Sequence, residues 1–109
     1  MIPTPSERLS HKGRLWRWTG ASGSGTWHFV TIDGEAGEAL SATALMRKLE
    51  GTARGFGSLK VKARIGDTAF ATSLFPSKSD GSWLLPVKAA VRKTEDLADG
   101  DDLEVFLEI

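Results

Sequence analysis

Four places in this chain carry side chains whose type and spacing suit chemistry. The two histidines, His11 and His28, are the first, since imidazole serves as a general base or a metal ligand near neutral pH. Neither has a second histidine three or four residues away, the spacing that sets two imidazoles on one helix face around a metal. His28 shares an alternating run with Val30 and Ile32, which favours a packed strand position over a catalytic one. Lys60, Lys62 and Arg64 also alternate with apolar residues and so share one strand face. Such a stripe tracks a nucleic-acid backbone or, more plainly, keeps a solvated face from pairing with another strand. Lys88 and Arg92 point the same way on a helix, beside Lys93. They suit an anionic ligand, or else the helix dipole and the acidic C-terminal segment. The fourth place is SLFPSKSDGSWLLPVKAAVRK, Ser73 to Lys93, where a Ser, Asp and Gly turn precedes that basic helix. A phosphate cradle needs its turn to open directly into the helix. Here the apolar run from Trp83 to Leu85 intervenes, so the turn joins two strands.

Other motifs read as architecture. The loop GASGSG, Gly20 to Gly25, is followed by the alternating run TWHFVTID rather than by a helix, which makes it a hairpin loop and not a nucleotide site. RGFGSLKV, Arg54 to Val61, opens like the RNP1 motif of RNA-recognition domains. Ser58 and Val61 then stand where stacking aromatics are needed, leaving Phe56 alone. Thr72 and Ser73 are hydroxyls without an identifiable base, and Asp99, Asp101 and Asp102 lack the longer oxygen-rich pattern of a calcium loop. Trp16, Trp18, Trp27 and Trp83 suit the lining of an apolar cavity or the filling of a small barrel. No cofactor and no metal site is implied.

The elements that must position these residues follow from the patterning. At 109 residues the chain suits one domain with one modest core. Residues 1–11 read as a flexible leader, and 12–109 as a single β-barrel domain. GRLWRW and TWHFVTID alternate with period two, as strands do. From Glu35, Ala36, Leu40, Ala44, Leu45 and Leu49 recur at helical spacing, with Glu35 early and Arg47 and Lys48 late, as the helix dipole prefers. Glycines at 51, 55 and 57 end that helix. SLKVKARI is a strand, and Gly66-Asp67 signals a hairpin into TAFATSLF. Pro86 suits the first turn of a short second helix with Val87, Ala90 and Val91 as its buried stripe. GDDLEVFLEI closes the chain as an alternating strand. Two units, each a strand followed by a helix and a further strand, echo one another and suit two interlocking halves of one barrel. The strand and helix order from Thr26 also permits a ferredoxin-like α+β fold.

Lys plus Arg and Asp plus Glu both number 14, for a formal charge of zero. That balance does not suit a globally basic nucleic-acid or membrane-surface binder. Seven of the acids nevertheless fall between Glu95 and Glu108, so the faces can differ in sign. Without cysteine there is no disulfide framework, thiolate metal site or cysteine nucleophile. No apolar run approaches the length of a bilayer span, and a cytoplasmic location is the default expectation.

The segments LWRW, GTWHFVTID, GFGSLKVKARIGDTAFATSLFP and LPVKAAVRKTEDLADGDDLEVFLEI together resemble an uncharacterised bacterial domain-of-unknown-function family, over roughly Lys12 to Ile109. The resemblance implies a double-split β-barrel similar to those of the AbrB and MazE class, in a domain often found N-terminal to a YdeI/OmpD-associated domain. In AbrB-like proteins two chains each give half of the barrel; here one chain is long enough to give both. The resemblance puts a proline where this chain has Asp33, and it carries over no catalytic or binding residue.

The expected fold is therefore mostly β, a small single-chain double-split barrel with two short helices. The leading functional expectation is a non-enzymatic ligand-binding or scaffold module, because no catalytic constellation is visible. Its candidate ligand contacts are Trp27, His28, Lys88 and Arg92, and its expected partner is a small molecule or a protein. Nucleic-acid binding through Lys60, Lys62 and Arg64 is the first alternative, and a small enzyme with a barrel pocket the second. A monomer or weak homodimer, away from membranes, is expected.

Overall fold

A computed structural model describes residues 8–20, 25–50, 57–77 and 80–109. Six strands and two helices follow in the order β1 (Arg8–Thr19), β2 (Thr26–Ile32), α1 (Gly34–Leu49), β3 (Leu59–Ile65), β4 (Thr68–Pro76), β5 (Trp83–Pro86), α2 (Ala89–Thr94) and β6 (Asp102–Glu108). The strands close a barrel in the order β1-β2-β5-β4-β3-β6, with β6 returning to β1. Every neighbouring pair is antiparallel. Closure removes the open edges that a flat sheet leaves unpaired. It also replaces the ferredoxin-like alternative, because β1 bridges β2 and β6 and seals what would otherwise be an open sheet.

Alternation decides what lies inside. Leu59, Val61, Ala63 and Ile65 of β3 are buried while Lys60, Lys62 and Arg64 between them are exposed. Leu15, Val30, Ile32, Leu74, Leu85, Val105 and Leu107 complete the interior from the other five strands. Each fully buried aliphatic side chain contributes roughly 1.5–3 kcal/mol relative to exposure. The β3–β4 hairpin turns at Gly66, whose φ of 58° is the positive value that a two-residue hairpin loop demands.

The topology has a two-fold logic. β1-β2-α1-β3 and β4-β5-α2-β6 are equivalent halves. β1 pairs with β2 of its own half and β6 of the other; β4 pairs with β5 of its own half and β3 of the other. The central pair β2–β5 and the pair β3–β6 join the halves. The two interlocking units are thus present in one chain, which closes its barrel without a partner.

Several elements differ from the sequence-based expectation. β1 begins at Arg8, because Arg8 to Arg14 pair with β6 and only Leu15 to Thr19 pair with β2; the residues from 8 to 11 are strand and not leader. Pro86 does not start the second helix. It ends β5, paired with Phe29, and the helix starts after Lys88, whose backbone is still extended. In α1 only Ala36, Gly37 and Leu40 are buried. Leu45, Met46 and Leu49 are exposed, because the helix faces the core along the single line of Ala36, Leu40 and Ala44. Of the four tryptophans only Trp83 enters the core, at 4% exposure; Trp18 and Trp27 are 48% and 54% exposed. Trp16, Trp18, Trp27 and Phe29 share the outer face of β1 and β2, where Trp16 and Phe29 pack with ring centroids 5.2 Å apart. Their parity on the strands is opposite to that of Leu15 and Val30, so alternation itself directs them outward. Residues 51–56, which include the RGF of RGFG, Gly51 and Gly55, and the central residues of GASGSG lie outside the described residues.

Candidate functional site

β5 is only four residues long, and its end creates an opening in the barrel wall. After Pro86, the Val87 amide still donates to the carbonyl of His28 at 2.9 Å. The chain then leaves the sheet for α2, and the flanking ends of β2 and β4 lose the strand between them. A cleft of about 440 Å³ results, within the range typical of small-molecule sites. Trp27 and His28 contribute from β2, Thr72, Ser73 and Phe75 from β4, Lys88 from the turn before α2 and Arg92 from α2 itself. Trp27, His28, Lys88 and Arg92, the candidate contacts expected from the sequence, therefore line one cleft. Thr72, Ser73 and Phe75 were not among them, since no sequence signal tells which stretch of β4 lies beside the end of β5.

His28 points inward, with the same parity as Val30 and Ile32, and its Nδ1 is buried without a hydrogen-bond partner. Burial holds its pKa below the ordinary 6.5, and the positive charges of Arg92 and Arg17 act in the same direction against a smaller opposing effect from Asp99. The imidazole is consequently neutral at pH 7, able to donate one hydrogen bond and accept another. Arg92 is fixed by its own contact: Nε donates to the Val87 carbonyl at 3.2 Å. Its terminal nitrogens remain as donors. Lys88 is exposed at the mouth.

The equivalent positions in the other half carry different side chains. Matching the residues before the two helices, Asp33 and Lys88, places Trp83 opposite His28 and Gly37 opposite Arg92. Trp83 is buried under α1, and its Nε1 donates to Ser41 Oγ at 3.0 Å. A side chain at Gly37 would meet the Ile32 carbonyl at 2.8 Å, so glycine lets α1 lie against the end of β2. At the matching contact Arg92 bonds the end of the strand through its side chain. One position is thus filled and hydrogen-bonded; its counterpart leaves space and an unpaired nitrogen.

Residues 12–107 match the family model described as Domain of unknown function (DUF1905). The chain belongs to this family. The match runs from within β1 to within β6 and so spans both halves of the DUF1905 barrel. No curated protein matches the chain.

Elsewhere in this DUF1905 domain several charged and polar side chains have partners within the protein. Lys60, Lys62 and Arg64 lie on the outer face of β3, apart from the cleft. Arg64 donates from Nη1 to the Gly66 carbonyl at 2.6 Å and stands 4.5 Å over the Phe106 ring. Lys62 sits opposite Glu108 in register. In the Ser, Asp and Gly turn, the Ser82 amide and hydroxyl donate to Asp80 Oδ1 at 3.0 and 2.6 Å and hold the Asp80 carboxyl below its usual pKa. The turn therefore binds itself. Arg8 pairs with Glu108, Arg14 with Asp102, and His11 lies 3.6 Å from Asp33. Neither Lys88 nor Arg92 pairs with an acid of β6 among the described residues. No group of three or more potential metal ligands is gathered among them, and no described helix is long and apolar enough to cross a membrane.

Proposed function

We propose that the domain is a non-enzymatic binding module that takes a small molecule in the cleft at the end of β5. One observation carries this reading. His28 Nδ1 is buried without a partner at the position where the other half satisfies Trp83 Nε1 with Ser41. A buried polar atom left unpaired costs about 1–3 kcal/mol, and a bound ligand supplies the missing contact. Binding rather than turnover is favoured because Thr72 and Ser73 line the cleft without a hydrogen bond to His28 among the described residues. The kinship with AbrB and MazE barrels belongs to this proposal; the two equivalent halves and the β5-α2-β6 unit support it.

The test is a chemically mixed fragment set titrated into the isotopically labelled chain. Fragments of some class should move the Trp27 indole and His28 imidazole signals together. No perturbation there by any fragment would sink the binding reading. Turnover in an activity screen, abolished in a folded His28→Ala or Ser73→Ala variant, would favour an enzyme instead.

A further inference from the structure

We infer that the occupant of this cleft is a small organic anion, a carboxylate or phosphate carried on a flat apolar body; the inference rests on the binding reading above. The lining divides into two chemistries. Lys88 and Arg92 supply cationic donors, neutral His28 a further polar contact, and Thr72 and Ser73 hydroxyls, while no Asp or Glu is among the lining residues. Trp27 and Phe75, about half exposed at 54% and 45%, stand with Pro86 and Val87 as apolar walls. The Nε contact of Arg92 to Val87 orients its guanidinium before any ligand arrives, which suits the fork that planar carboxylate and tetrahedral phosphate oxygens accept.

The matching recess at the other helix has the opposite sign. It is lined by Asp33, Glu38, Asp80 and Ser82 together with glycines, and no aromatic residue stands in it. The two-fold barrel thus sorts charge between its halves. An anion is drawn to the α2 end and repelled from the α1 end. The volume of about 440 Å³ suits a single-ring compound and its charged group.

The experiment titrates the full chain with benzoate and phenyl phosphate, their neutral relatives benzamide and benzyl alcohol, and inorganic phosphate, reading the Trp27 indole and His28 imidazole signals. Benzoate, phenyl phosphate or both should bind at least about tenfold more tightly than the neutral compounds, as loss of a charge-assisted contact predicts. Whichever of the two binds better identifies the anion's source as carboxylate or phosphate. Arg92→Gln should remove that preference, bringing the anions to the affinity of their neutral relatives. Neutral compounds binding as tightly as the anions would overturn the anionic class and leave the binding reading intact. Inorganic phosphate matching phenyl phosphate would overturn the apolar body. No shift with any of the five compounds would overturn the inference, and the fragment set then decides separately whether the cleft binds anything.

Discussion

The two halves of the barrel differ most where each sends its central strand into a helix. In the first half β2 runs seven residues and α1 sixteen; in the second β5 runs four and α2 six. Around α1 the inner position is filled: Gly37 admits the helix to the strand end, Trp83 takes the space with its indole nitrogen bonded to Ser41, and the recess left outside is smaller and acidic, about 300 Å³. Around α2 the same topology carries Arg92 and His28, and a cleft remains. Duplicated architecture therefore does not imply duplicated role. One junction gives its apolar volume to stability, and the other holds polar groups that the fold itself does not satisfy.

Substitutions can break this contrast from either side. Trp83→Ala should have the largest effect, a loss of about 3–5 kcal/mol of unfolding free energy in urea melts, since it empties a buried and hydrogen-bonded core position. His28→Ala at the matching position should cost much less. Gly37→Ala should destabilise by about 1–3 kcal/mol, because its new methyl meets the backbone carbonyl of Ile32. Arg92→Ala, at the equivalent contact, should fall within about 1 kcal/mol of the parent. Equal losses at Gly37 and Arg92 in denaturant melts would remove the proposed asymmetry.

His28→Leu should raise stability by about 1 kcal/mol, since it removes a buried nitrogen without a partner, and should weaken binding in the cleft. A fall in stability would show that the imidazole is held by contacts of its own. The smallest effect is in pH. The fold opposes protonation of His28 through burial, with Arg92 on α2 and Arg17 on β1 acting alongside and Asp99 opposing. Its contribution is therefore intact above pH 6.5, the ordinary value, and is lost as pH falls below it, where the unfolded chain takes up the proton first. Below the folded-state pKa the loss levels off. Melts of the parent and His28→Leu across this range should diverge downward from pH 6.5, with His11 and the carboxylates common to both. Parallel curves would show that His28 titrates normally.

Much of this was legible in the sequence. β3 and β6 announce their inner faces by strict alternation, and Gly66 marks its hairpin by residue type alone. Trp27, His28, Lys88 and Arg92 were selectable as polar or aromatic residues at strand and helix positions. Their meeting in one cleft was not, because it depends on β5 stopping after Pro86 beside the flanks of β2 and β4. The tryptophans misled for a related reason. Large apolar side chains suggest a core, but Trp16, Trp18 and Trp27 have the strand parity that faces outward, and the parity assignment needs the barrel's inside to be known.

Residue patterning alone marks the six strands, the buried faces of β3 and β6 and the turn at Gly66, because a period of two and a glycine's positive φ are properties of neighbouring residues and their backbone. Only the tertiary structure decided that the barrel closes on itself, that Trp83 and His28 occupy equivalent positions, and that Ser41 reaches one of them while the other is left unpaired. Those outcomes depend on which distant strand lies alongside and how far it extends. Local stereochemistry does not encode either distance.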